Sequence, residues 1–309
     1  MSFPVNGHRG ARADGSRRLA PGRVSRRARI RLGAGAASAA LAAAVLTLTA
    51  PAGASTSAAA APAPARAYGV QVLTLRAMPV GRVAFGRDRH HHLTVRAVMF
   101  GLTAGSAHNV DLWVPGRSRV VRFGPLTANS VGQAASTLSS NFMGRWRPGS
   151  RLLIRMGVGR SRVAREPIAE TRRLHHAGRH AHQLIAVEVS RKGVRYGTPR
   201  GGALLVYNPG RHTLTVTVHA RGVTPGPHAA HIHLGSCMSQ GPVKYMLKDL
   251  VANRRGRIVH AVRVFTNVRA PVPPHGWYLN IHQGNSGDIL SNGQPSIFFR
   301  PLLCANIKR

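Results

Sequence analysis

Acidic residues are scarce in this chain: 8 Asp and Glu stand against 44 Lys and Arg, a formal net charge of +36. Lysine is nearly missing too, at 4 residues against 40 arginines. So few carboxylates argue against acid/base catalysis by a carboxylate pair. Aromatics make up only 5% of the residues, so any core must be built from Val, Leu, Ile and Ala. No P-loop, Rossmann glycine pattern or Ser-His-Asp order is present, which removes the commonest nucleotide-binding and hydrolase classes. Beyond residue 67 no run is apolar enough to cross a bilayer. The 43% apolar content nevertheless excludes wholesale disorder.

The first 67 residues read as address rather than fold. Met1 to Arg31 holds nine arginines and a single acid, Asp14; an uncharged Ala/Leu-rich stretch, 33–50, follows, and then Pro51 and the small residues Ala52-Gly53-Ala54. A basic n-region, an apolar h-region and an Ala-x-Ala site make a secretory signal peptide over 1–54. The competing reading is an uncleaved anchor, for which the apolar stretch is barely long enough. Ser25-Arg26-Arg27 is a weak twin-arginine signal, and no cysteine near the cleavage site offers a lipid anchor. Residues 55–67, nearly all Ala, Pro, Ser and Thr, form a flexible spacer. A secreted or cell-surface protein of bacterial type is expected. Two cysteines in an exported chain favour one disulfide, Cys237–Cys304, closing a loop of 67 residues and worth roughly 3–5 kcal/mol by loop entropy.

The positive charge is spread evenly. Residues 68–174 carry 17 basic and 4 acidic residues, and residues 183–309 carry 16 and 3, so each half is +13. Such a surface attracts polyanions, whether anionic cell-wall polymers or nucleic acid, although arginine-rich codon usage is the preferred account of it. No nucleic-acid-binding module or aromatic stacking platform is visible.

The chain repeats itself. Leu93-Thr94-Val95 through Gly101-Leu102-Thr103-Ala104-Gly105 matches Leu214-Thr215-Val216 through Gly222-Val223-Thr224-Pro225-Gly226 at an offset of 121. Leu126-Thr127-Ala128-Asn129 matches Leu250-Val251-Ala252-Asn253, 149–157 matches 276–284, and 165–169 matches 300–304 loosely. Within each unit, short alternating runs such as Thr213–Val218 are broken by Gly and Pro, the pattern of half-buried antiparallel strands. The expected architecture is all-β: two tandem antiparallel Greek-key-like β-sandwiches, one over 68–171 and one over 184–309, separated by a His/Arg-rich linker at 172–183.

The second unit contains His228-Ala229-Ala230-His231-Ile232-His233. On a strand, His231 and His233 share a face and could aim both imidazoles at one metal, with Ile232 turned to the core. His282 lies on a separate predicted strand, and three histidines with an open position suit copper or zinc. The other reading is that these are hydrogen-bonded structural histidines. Ala230-His231-Ile232-His233-x-Gly, the later Tyr278-x-Asn280-x-His282-x-Gly284 and Gly287-Asp288-Ile289 resemble the CHRD domain, named after chordin. That pattern is in turn similar to copper/zinc superoxide dismutase. The resemblance implies an antiparallel sandwich with copper held by His231, His233 and His282, and a Cys237–Cys304 bridge. It covers 184–307 well, and 70–171 only through the internal repeat. Between Cys237 and Tyr278 only Asp249, His260 and His275 offer further donors. No bridging histidine, zinc cluster or counterpart of the dismutase's guiding arginine is visible. The sequence therefore points to a non-enzymatic exported protein that binds a metal ion, an extracellular partner or a polyanion. A copper-dependent superoxide dismutase-like enzyme and a copper or zinc capture protein are the alternatives.

The offset of 121 puts Val110 opposite His231, Leu112 opposite His233 and Gly116 opposite Cys237, while a later block puts Arg155 opposite His282, and Glu170, just past the loosest block, is set opposite Cys304. The site is thus expected to be lost as a unit from the first copy. His90-His91-His92 and His175, His176, His180 and His182 read as a solvated turn and linker. Trp113, Trp146 and Trp277 read as core or sandwich-edge residues.

Overall fold

The computed structural model describes residues 69–175, 181–189 and 194–308. The stretches expected to be a signal segment and a spacer, and part of the 172–183 stretch, with His176 and His180, lie outside them. The described residues are strands, turns and two short 3-10 segments, Val163–Arg165 and Ile297–Phe299. None of their helices is long and apolar enough to cross a membrane.

In the first half the strands are β1 (Gly69–Ala77), β2 (Val80–Arg87), β3 (Leu93–Phe100), β4 (Ala107–His108), β5 (Val110–Trp113), β6 (Val121–Arg122), β7 (Leu126–Thr127), β8 (Gln133–Ser139), β9 (Arg151–Arg155) and β10 (Pro167–Thr171). Next come β11 (His182–Ala186), β12 (Glu188–Val189), β13 (Arg195–Gly197), β14 (Arg200–Asn208), β15 (Thr213–Arg221) and β16 (Gly226–Ser236). The last are β17 (Ser239–Ala252), β18 (Arg257–Phe265), β19 (Trp277–His282), β20 (Leu290–Ser291), β21 (Gln294–Pro295) and β22 (Pro301–Ile307). Alternation decides what each strand buries. In β15, Leu214, Val216 and Val218 are fully buried while the threonines between them face outward.

Two eight-stranded antiparallel sheets result, with one order in both. The first runs β6-β5-β9-β10-β11-β2-β3-β8 and the second β17-β16-β19-β22-β1-β14-β15-β18. Place for place the strands correspond, as the internal repeat requires. Each sheet curls round its own aliphatic core; the second is filled by Leu205, Leu214, Val216, Ile232, Leu279, Leu302 and their neighbours. Its outermost strands, β17 and β18, are stapled by Arg263, which donates from Nε to the Leu247 carbonyl at 2.5 Å and from Nη2 to that of Asp249 at 2.8 Å.

The strand expected to open the first copy belongs to the second sheet. Gly69–Leu75 of β1 pair with Tyr207–Gly201 of β14, and Arg76 and Ala77 pair with Cys304 and Leu303 of β22. Reciprocally β11, which begins at His182 inside the 172–183 stretch, pairs with β10 and β2 in the first sheet. Only Met78-Pro79 separates β1 from β2. That pair does not suit the tight hairpin turns, which favour Gly and Asn at positive φ, so the chain crosses to the other sheet instead.

Both crossings meet one side chain. Arg300 is 2% exposed; its Nη2 donates to Glu188 at 2.8 Å and to Gln283 Oε1 at 2.8 Å, and its Nη1 donates to the Met78 carbonyl at 3.3 Å. Burial works against both charges of the Arg300–Glu188 pair, raising the carboxyl and lowering the guanidinium, and the charge of each partner opposes the shift of the other.

Candidate metal centre

His231 and His233 stand on β16, in a stretch buried on both faces. Ile232 between them enters the core, as alternation requires, so the imidazoles lie on the opposite face. His282 ends the neighbouring β19, where His231 pairs with Asn280 and His233 with Tyr278. One nitrogen from each ring lies within 4.8 Å of the other two, and the three residues are 3%, 2% and 0% exposed.

Each ring is held by a different partner. His282 Nδ1 lies 2.6 Å from the Phe299 carbonyl, which assigns its proton to Nδ1 and turns the Nε2 lone pair towards the cluster. His233 Nδ1 lies 2.9 Å from the Gly241 carbonyl, and its ring stacks on Tyr278 at 5.0 Å. The tight turn behind it depends on Gly235, whose φ of +104° and 2.6 Å approach to the Ser239 carbonyl leave no room for a Cβ. Its tip is docked on the first half: Gln240 Nε2 donates to the Leu102 carbonyl and Gln133 Nε2 to that of Met238, both at 2.8 Å. His231 Nδ1 lies 3.1 Å from His282 Nε2.

His233 Nε2 is buried without a hydrogen-bond partner. A lone pair left unsatisfied in a protein interior costs free energy, and a metal ion would satisfy it. Burial, with smaller repulsions between neighbouring rings, pushes His231 down to about 4 and His282 to about 3; burial also lowers His233. All three are therefore neutral near pH 7, the form that binds metal. The residues fit a first-row ion held by nitrogen: His231 through Nδ1, His233 and His282 through Nε2. The bridge expected of Cys237 and Cys304 is present. Asn306 Oδ1 accepts from the Cys237 amide at 2.7 Å.

Two further histidines carry structure rather than the site. His228 is 1% exposed, with its nitrogens 2.9 Å from the His282 carbonyl and 2.7 Å from that of Thr224. His108 does the same in the first sheet, 2.8 Å from the Arg155 carbonyl and 2.7 Å from Ser106 Oγ. This pairing corrects the alignment by one residue. Val110 pairs with Ile154 as Ala230 pairs with Ile281, so Val110 and Leu112 are core residues standing for Ala230 and Ile232. Asp111 and Trp113 occupy the places of His231 and His233, while Arg155 keeps that of His282 and Glu170 that of Cys304. The His90–His92 run is a turn capped by Asp88, as expected. Sequence reasoning missed the Arg300–Glu188 clasp, although Arg300 opens 300–304, the loosest of the repeat blocks.

Fold and site define the class: a duplicated antiparallel β-sandwich in which one copy gathers three histidines on the outer face of its sheet. Residues 182–288 match the family model of the CHRD domain. The matched span includes all three histidines. It opens with β11, the strand that the fold gives to the other sheet. No curated protein matches the chain.

Proposed function

We propose that this is an exported, non-catalytic protein that captures one copper or zinc ion at His231, His233 and His282. The observation that carries the reading is the convergence of three neutral imidazoles, one of them with a buried unpartnered nitrogen. Bound there, the ion would supply coordination that ties β16 to β19. Export is supported by the n-, h- and cleavage-site pattern of 1–54 and by the disulfide, which persists in oxidising compartments. Capture is favoured over turnover by Arg300, the one arginine between His282 and Cys304. Its guanidinium is locked onto Glu188 and Gln283 and cannot steer an anionic substrate.

The test is copper(II) and zinc(II) titration of the purified protein, with superoxide decay followed on the loaded sample. The expected result is one tightly held ion, lost in His233→Ala and retained in a variant with His90, His91 and His92 all changed to Ala. Unchanged stoichiometry in His233→Ala, or no binding at micromolar metal, overturns the capture reading. Rapid superoxide decay overturns the non-catalytic one.

A further inference from the structure

The place of the metal centre in the second sheet is taken, in the first, by an ion pair. Arg155 Nε lies 3.2 Å from Asp111 Oδ2, and Arg155 Nη1 donates to the Arg165 carbonyl at 2.5 Å. The pair floors a cleft of about 650 Å³ whose walls carry Arg122, Arg160 and Arg165. Asp111 is the one acid lining it, so four guanidinium groups share a single carboxylate. Arg122, Arg160 and Arg165 are exposed, and their side chains make no ion pair or hydrogen bond among the described residues. A second cleft adjoins the first, sharing Val120 and Arg122 in its lining and adding Arg117 and Arg119.

The geometry points to an anion-binding groove across these two clefts, built for a linear chain of phosphate groups. Arginine is suited to it because its planar fork meets phosphate oxygens in pairs. A concave arrangement concentrates the field that exposed, scattered charges dissipate. A chain is favoured over a single anion because Val120 and Arg122 line both clefts, so that a ligand held in one lies beside the guanidinium groups of the other. A polymer without bases is favoured over single-stranded nucleic acid, because no open aromatic face lines the groove: Phe123 is buried, and Phe142 is covered by Arg117 at 4.7 Å. The inference is independent of the metal reading, since none of these residues belongs to the histidine cluster.

The test is binding of inorganic polyphosphate to the full chain, to a variant carrying Arg122→Ala, Arg160→Ala and Arg165→Ala, and to a charge-matched control carrying Arg211→Ala, Arg254→Ala and Arg255→Ala. The control removes three exposed arginines from turns of the second sheet. The groove variant should weaken binding by at least about tenfold. It should also flatten the log K against log salt slope by roughly two, at about 0.7 for each phosphate no longer neutralised. The control should change affinity by less than about threefold. Equal losses in both variants would mean diffuse charge and overturn the groove. Orthophosphate competing as well per phosphate overturns the chain reading. Single-stranded DNA binding more tightly than polyphosphate at equal phosphate concentration overturns the preference for a base-free polymer.

Discussion

The two sheets share strand order, register and a structural histidine at one corner, yet they differ at the places that carry chemistry. Where the second brings together His231 and His282, the first sets Asp111 against Arg155. Where the second has Cys304 in its disulfide, the first has Glu170, which pairs with Arg195 and lies 3.6 Å from Arg151. A disulfide and a histidine cluster in one half are thus replaced by part-buried ion pairs in the other. The aliphatic core is untouched by the exchange, because every replaced residue lies on the outward parity of its strand. The lesson is that the scaffold needs neither set, so the outer face of this sheet is free to change its chemistry while the inner face holds the fold.

The halves are not independent, however, and the most severe way to break the comparison is to remove the strand they trade. β1 lies between β22 and β14 and buries Leu73 and Leu75, at 6% and 2% exposed. The two leucines alone contribute about 3–6 kcal/mol, and their loss opens the ladder on both sides. Deleting Gly69–Ala77 should abolish the cooperative unfolding transition, read by denaturant titration, and with it metal binding at a site that contains none of the deleted residues. A separate peptide spanning those nine residues should restore part of both. A deletion variant that unfolds with the parent midpoint would mean that β11 fills either slot, and that the exchange carries no weight.

How far the sequence spoke can be judged on the same residues. The all-β class, the duplication, the bridge and the convergence of three histidines were all legible, because alternation, spacing and cysteine count are local or pairwise signals. The strand exchange was not. Gly69–Ala77 and His182–Ala186 both show a strand pattern, and a strand's alternation says which face is buried but never which neighbour it pairs with. The one-residue alignment error was avoidable. With Ile232 expected inward, the apolar Leu112 had to match Ile232 rather than His233, since a shift of one residue turns every side chain to the other face. Arg300 and Glu188 gave no signal: they lie 112 residues apart, and a buried ion pair has no sequence period.

A less drastic break is to unpair that clasp. Glu188→Gln leaves the Arg300 guanidinium charged, buried and facing a neutral amide, and losing one partner of a buried ion pair costs about 3–5 kcal/mol. The variant should show that loss in its urea midpoint. Replacing both residues, as Glu188→Leu with Arg300→Met, should recover most of it, because two apolar groups need no partner. If the double variant is as damaged as the single, the clasp acts through the Met78 and Gln283 contacts rather than through its charge.

The smallest expected effect is on pH dependence, and it falls on His108, the structural histidine at the corner of the first sheet. Burial, with a smaller contribution from the Arg300 charge, lowers His108 to about 4. In the unfolded chain the same imidazole takes a proton near pH 6.5. The folded state therefore binds fewer protons between these values, so the stabilisation is complete above about pH 6.5 and is lost as pH falls towards 4. His108 should account for on the order of 2–3 kcal/mol of the stability lost between pH 7 and pH 4. His108→Gln, which keeps a donor for the Arg155 carbonyl, should be less stable than the parent at pH 7 yet lose less on acidification, so the two urea-midpoint curves converge. The growing positive charge of the whole chain acts on both proteins alike and cancels in the comparison. Parallel curves would mean that His108 is protonated in the folded state, and that its corner of the first sheet is wetter than its 2% exposure implies.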